Sequence, residues 1–132
     1  MLVRLFPFLA PSRIKPYFAT RLRRLADDCE RLEFGLPVSE LELAKAPLLE
    51  DWAPTVMPQG LRLVGYAIDH PVVGEGAVMT SPLCLADPEG RWVRTIFRFW
   101  RLGNPIALKD IRRTLRTSGV IRADEAGWED ET

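Results

Sequence analysis

Cysteine and histidine are nearly missing from this sequence, with two of the first and one of the second in 132 residues. Cys29 and Cys84 stand far apart beside apolar neighbours, which excludes a disulfide framework or a CxxC metal knuckle; both read as reduced core thiols. A lone His70 excludes a His-rich metal site or paired imidazoles. No GxxxxGK[ST] or GxGxxG segment occurs, and no GxSxG elbow surrounds Thr80, Ser81 or Cys84, so the usual signatures of nucleotide binding and of nucleophilic catalysis are missing. Lysine is scarce as well: fifteen of the eighteen basic residues are arginine, which gives planar, bidentate contacts that lysine cannot. No apolar run approaches the length that spans a bilayer. Residues 1–10 are apolar, but the stretch is short and Pro7 interrupts it, so the expectation is a strand or extended arm packed on the core, neither a secretory leader nor a membrane anchor. A cytoplasmic location, no membrane partner, no cofactor and no metal are the corresponding expectations.

What is present is ordinary globular composition, 47% hydrophobic and 27% charged, in a chain the size of one domain. The net charge of zero is assembled from opposing blocks. Residues 1–35 hold seven basic and four acidic side chains, and residues 36–90 hold two basic and eight acidic. Residues 91–122 then carry nine basic residues against Asp110 alone, and the last ten residues carry five acids and no base. The reading is one α+β domain over residues 1–122, followed by an acidic, mobile tail over residues 123–132.

Phe18, Leu22, Leu25, Cys29 and Leu32 recur at steps of four and three, which places a helix over residues 16–32 with one apolar stripe. Its other faces pair Arg23 with Asp27, Arg24 with Asp28 and Asp27 with Arg31 at i, i+4. Ser39 followed by Glu42 is a capping-box pattern, so a short helix should start at Glu40 and end before Pro47, with Leu41, Ala44 and Leu48 facing inward. Residues 48–60, with Pro54 and Pro58, read as a connection anchored by Trp52. Three strands are expected after it, over residues 61–68, 77–86 and 91–102, with turns at Gly74-Glu75-Gly76 and Asp87-Pro88-Glu89-Gly90. Val64, Tyr66 and Ile68 share a face of the first strand, Gly65 hints at a bulge or close packing, and Pro82 makes the second strand irregular. Asn104, Pro105 and Gly119 delimit a third helix with Leu108, Ile111 and Leu115 inward. The expected fold is thus a three-stranded antiparallel sheet packed against two N-terminal helices and one C-terminal helix.

The block Ala46-Pro47-Leu48-Leu49-Glu50-Asp51-Trp52 resembles part of a family of small uncharacterised alphaproteobacterial proteins. Gly65-Tyr66-Ala67-Ile68-Asp69-His70-Pro71, Thr80-Ser81-Pro82-Leu83, Trp92-Val93-Arg94-Thr95 and Arg101-Leu102-Gly103 carry the same resemblance. It implies a bacterial setting, mobile elements included, and supplies no functional residues.

Groups suited to catalysis are few. Asp69 cannot simply orient His70, because neighbours on an extended chain point to opposite faces. A turn-capping or buried structural role is the favoured reading of His70. Asp27, Asp28, Glu30 and Glu33 spread over several helix faces and read as a solvated surface.

The third strand holds the one constellation above background. Alternation puts Val93, Thr95, Phe97 and Phe99 on one face and Trp92, Arg94, Ile96, Arg98 and Trp100 on the other. The second face suits stacking or a protein hot spot; equally, both indoles could pack under a helix with the guanidinium groups over them. The leading functional reading is a small non-enzymatic adaptor, inhibitor or regulator that grips a protein partner through Trp92, Arg94, Ile96, Arg98 and Trp100. The alternative is nucleic-acid binding through Arg94, Arg98, Arg101, Arg112, Arg113 and Arg116, with the acidic tail competing for that surface.

Overall fold

The computed structural model describes residues 1–58, 60–106 and 121–122. The chain opens with a four-residue helix, α1 (Leu2–Leu5), and two 3-10 turns, Pro7–Leu9 and Pro11–Arg13, none of which buries a residue. This corrects the expectation of a strand or arm packed on the core. Pro7 and Pro11 each start a turn, where a missing N–H breaks no helical bond, and together they prevent one continuous helix.

Helix α2 (Phe18–Glu33) follows a left-handed Tyr17 with φ 67° and corresponds to the helix expected from the apolar stripe. The stripe is only partly covered: Leu25, Cys29 and Leu32 are half-buried, and Leu22 is exposed. The buried residue of α2 is Arg21, whose guanidinium lies 4.9 Å from the Phe97 ring centroid. Helix α3 (Glu40–Lys45) carries the expected capping box. The Glu42 N–H donates to Ser39 Oγ at 3.1 Å, and the Ser39 N–H donates back to Glu42 Oε2 at 3.3 Å. Its inward residue is Leu43, whereas Leu41 and Ala44 face out.

Among the described residues, six strands and a two-residue seventh form one mixed sheet: β1 (Leu48–Met57), β2 (Gly60–His70), β3 (Gly74–Met79), β4 (Leu83–Ala86), β5 (Trp92–Thr95), β6 (Phe99–Leu102) and β7 (Ile121–Arg122). Their order is β4-β5-β6-β1-β2-β3-β7, so two antiparallel meanders, β1-β2-β3 and β4-β5-β6, meet where β1 and β6 pair in parallel. The expected three-stranded antiparallel sheet is therefore too small, for three reasons. Residues 48–60 are no connection: β1 runs through Pro54, which pairs with Leu63 of β2 and lies beyond the positions at which β6 and Pro105 pair with the other side of the strand. The stretch 77–86 breaks at Thr80-Ser81-Pro82, placing β4 at one edge of the sheet and β3 on the far side of β1 and β2. The stretch 91–102 turns back on itself at residues 96–98.

Two apolar clusters cover the two faces of the sheet. Leu49, Leu63, Ala67, Val78, Val93 and Trp100 form one, joined by Trp52 and Leu83 among others. Val38, Leu43 and Trp92 form the second with Leu32, Leu85 and Phe99, under α2 and α3. On β2 the large cluster takes Leu63 and Ala67, and Tyr66 of the face grouped by alternation is exposed. Gly65 lies between them because a Cβ there would come within 2.8 Å of the Glu50 carbonyl oxygen, the close packing its sequence context suggested. The turn at residues 87–90 closes as expected, with the Gly90 N–H donating to the Asp87 carbonyl at 2.9 Å. The other turn forms at residues 71–73, earlier than Gly74-Glu75-Gly76, which belong to β3. Asn104 and Pro105, expected to start a third helix, instead run beside β1: Pro105 bridges Trp52, and the Ile106 N–H donates to the Trp52 carbonyl at 2.9 Å. Leu108, Ile111, Leu115 and the acidic tail lie outside the described residues.

Candidate interaction surface

A strand that turns back reverses the phase of its alternation. In the β5-β6 hairpin Trp92 faces Arg101, Val93 faces Trp100, and Arg94 faces Phe99. Cross-strand partners share a face, so Trp92, Arg94, Phe99 and Arg101 lie on one side of the sheet and Val93 and Trp100 on the other. The five residues grouped from sequence are thus not brought together. Trp92, 5% exposed, packs in the cluster under α2 and α3 with its ring edge-on to Phe99 at 5.3 Å. Trp100 is fully buried in the opposite cluster, 5.1 Å from the His70 ring. Ile96 and Arg98 are half-buried in the turn. Thr95 builds that turn: its Oγ1 accepts the N–H groups of Phe97 and Arg98 at 3.1 and 3.3 Å. A continuous Trp and Arg face open to a partner is therefore not what this hairpin presents.

Arg94 is 3% exposed and is matched from inside the protein. Its Nε donates to Asp28 Oδ2 at 3.1 Å and its Nη2 lies 3.0 Å from the same oxygen, its Nη1 donates to the Thr95 carbonyl, and its guanidinium sits 5.2 Å from the Phe99 ring. Asp28 also pairs with Arg31, which reaches on to Glu42 at 2.9 Å, so one ionic chain ties α2, α3 and β5 together. The Arg31 hydrogen bond holds the Glu42 carboxyl below its usual range, and the same contact raises Arg31. This network replaces the expected Arg24–Asp28 pair, and among the described residues no ion pair joins Arg23 to Asp27. Arg101 donates from Nε to the Ala46 carbonyl at 3.0 Å. Arg112, Arg113 and Arg116 lie outside the described residues.

The chemically suggestive groups are likewise absorbed by the fold. His70, 3% exposed, accepts the N–H groups of Val72 and Val73 at Nδ1, at 3.0 and 3.1 Å, and so caps the turn after β2. Thr80 Oγ1 accepts the Leu63 N–H and donates to the Ser81 carbonyl. Trp52 anchors the bulge of β1, donating from Nε1 to the Gly103 carbonyl at 3.0 Å, while Glu50 Oε2 accepts the Asn104 N–H at 3.1 Å. Both cysteines are free thiols; Cys84 is exposed instead of core, and partial burial of its sulfur pushes the thiol up, against the nearby Arg94, which disfavours a reactive thiolate. No group of His, Cys, Asp and Glu among the described residues is arranged to hold a metal ion.

Apolar surface is left open instead at the start of the chain. Leu2, Leu5, Phe8 and Ile14 are each more than 60% exposed. Phe8, Leu9, Ala10, Arg13, Ile14, Lys15 and Phe18 line a groove of about 640 Å³. The short apolar run at residues 1–10 was the signal for this surface, but its exposure depends on what the rest of the chain leaves uncovered. No helix among the described residues is long and apolar enough to cross a membrane.

No curated protein and no solved structure matches the chain. A family match covers residues 15–128, taking in every strand described here and leaving out α1 and both 3-10 turns. The chain belongs to DUF6634, a family of unknown function.

Proposed function

We propose that this chain is a small non-enzymatic interaction protein, an adaptor or regulator, whose contact surface is the arm formed by residues 1–17. The observation that carries this reading is the exposure of large apolar side chains along the whole arm, a concentration that soluble surfaces rarely leave uncovered. Support also comes from the consumption of polar groups elsewhere: His70, Thr80, Thr95, Asp28 and Arg94 each serve an internal hydrogen bond or ion pair. The nucleic-acid alternative is weakened by the internal partners of Arg94 and Arg101.

A photoreactive diazirine side chain placed at Phe8, or at the exposed Glu75 of β3 as a control, tests the reading in living cells. Adducts are expected from position 8 well in excess of those from position 75. Equal labelling from the two positions would overturn it.

A further inference from the structure

We infer that the surface met by the arm is the headgroup region of an anionic lipid bilayer, on which residues 1–17 lie in the plane of the interface. This rests on the arm being the contact surface and names what it contacts. Three observations converge on it.

The first is charge. The sequence has no acidic residue before Asp27, and six basic residues precede it. Of these, Arg4 and Arg13 stand exposed on the arm itself, and neither of the two takes part in an ion pair among the described residues. An apolar surface bearing charge of only one sign is complementary to a layer that is apolar below and negative above. It is poorly matched to a second copy of itself, because docking two such arms would bring like charges together.

The second is shape. The arm is a four-residue helix and two proline-started turns, far too short to cross a bilayer yet able to lie along one. Leu2, Leu5, Phe6, Phe8, Leu9 and Ile14 are all exposed, so the apolar surface extends along the length of the arm. Insertion to the depth of the acyl boundary needs apolar side chains and flanking cations, both of which are in place.

The third is position. The region matched by the family begins at residue 15, and the arm buries nothing in the sheet or under its helices. Its apolar side chains are thus free to leave water without unfolding the domain. Each cation near an anionic surface strengthens binding about fivefold, so Arg4 and Arg13 alone raise affinity by roughly 25-fold over a neutral membrane.

The test is co-sedimentation of the purified full chain with vesicles of phosphatidylcholine, alone or with one third phosphatidylglycerol. Strong binding to the anionic vesicles is expected, weak binding to the neutral ones, and loss of most binding at high salt. The double variant F8D/L9D should bind at least about tenfold more weakly while melting where the parent does. In a Phe8→Trp variant, acyl-chain-brominated lipid should quench the added indole, which adsorption by charge alone would not produce. Equal or absent sedimentation with the two vesicle types, or F8D/L9D binding like the parent, would overturn the inference. If the vesicles fail but the diazirine at position 8 labels a protein, the lipid assignment falls and the arm remains the contact surface; if the diazirine fails too, both fall.

Discussion

Arg94 shows how a single charge is held inside this small fold. A guanidinium with 3% of its surface exposed is tolerable because Asp28, on a helix 66 residues earlier in the chain, supplies one carboxylate oxygen to two of its nitrogens, and Phe99 supplies a ring face. Breaking one side of such a pair leaves the other charge buried without compensation. Asp28→Ala is therefore expected to cost about 3–5 kcal/mol in urea denaturation, a large share of the roughly 5–15 kcal/mol by which such domains are stable. Arg31→Gln removes a half-exposed partner of the same carboxylate and should cost less than about 1 kcal/mol. Similar losses in the two variants would mean that the pair with Arg94 has no special weight.

Among the elements, α3 and the turn at residues 87–90 rest on carboxylates whose pKa values lie below their usual ones. For Glu42 the largest cause is the Arg31 hydrogen bond. For Asp87 burial pushes upward, but the N–H groups of Glu89 and Arg91 and the Arg91 side chain together outweigh it. A carboxyl lowered on folding adds stability that is fully present above its unfolded value, near 4.5 for Glu42 and 3.8 for Asp87. That stability is lost as pH falls through the folded value. The urea midpoint should accordingly be flat around neutrality and decline as pH drops below the mid-4 range, and Glu42→Gln should shallow the decline. A decline of unchanged steepness in that variant would show that the acid sensitivity arises elsewhere.

At the scale of the molecule, the sheet carries an apolar cluster on each face, and the arm contributes to neither. Removing residues 1–14 should then leave the melting midpoint within about 2 °C of the full chain. A drop of more than about 5 °C would mean that the arm is part of the folded core. The same independence allows the domain to keep its shape while the arm engages something else.

Local physics was legible in the sequence wherever the deciding partner was near in the chain. The Ser39 and Glu42 cap, the stripe of α2 and the turn around Asp87 each depend on residues within a few positions of one another. His70 as a turn cap belongs with them, since its partners are two and three residues ahead. The faces of the β5-β6 hairpin were not legible, because period two describes a strand that continues and a strand that reverses equally well until the turn is placed. Thr95 places it, and one reversal moved Trp100 to the far side of the sheet from Trp92. Strand β1 was hidden because proline disfavours strands on average, while the partners that make residues 48–57 a strand, β2 and β6, come from later in the chain. Which apolar side chains end in the core is set by how much surface the assembled sheet and helices can cover, and that quantity belongs to the tertiary structure alone.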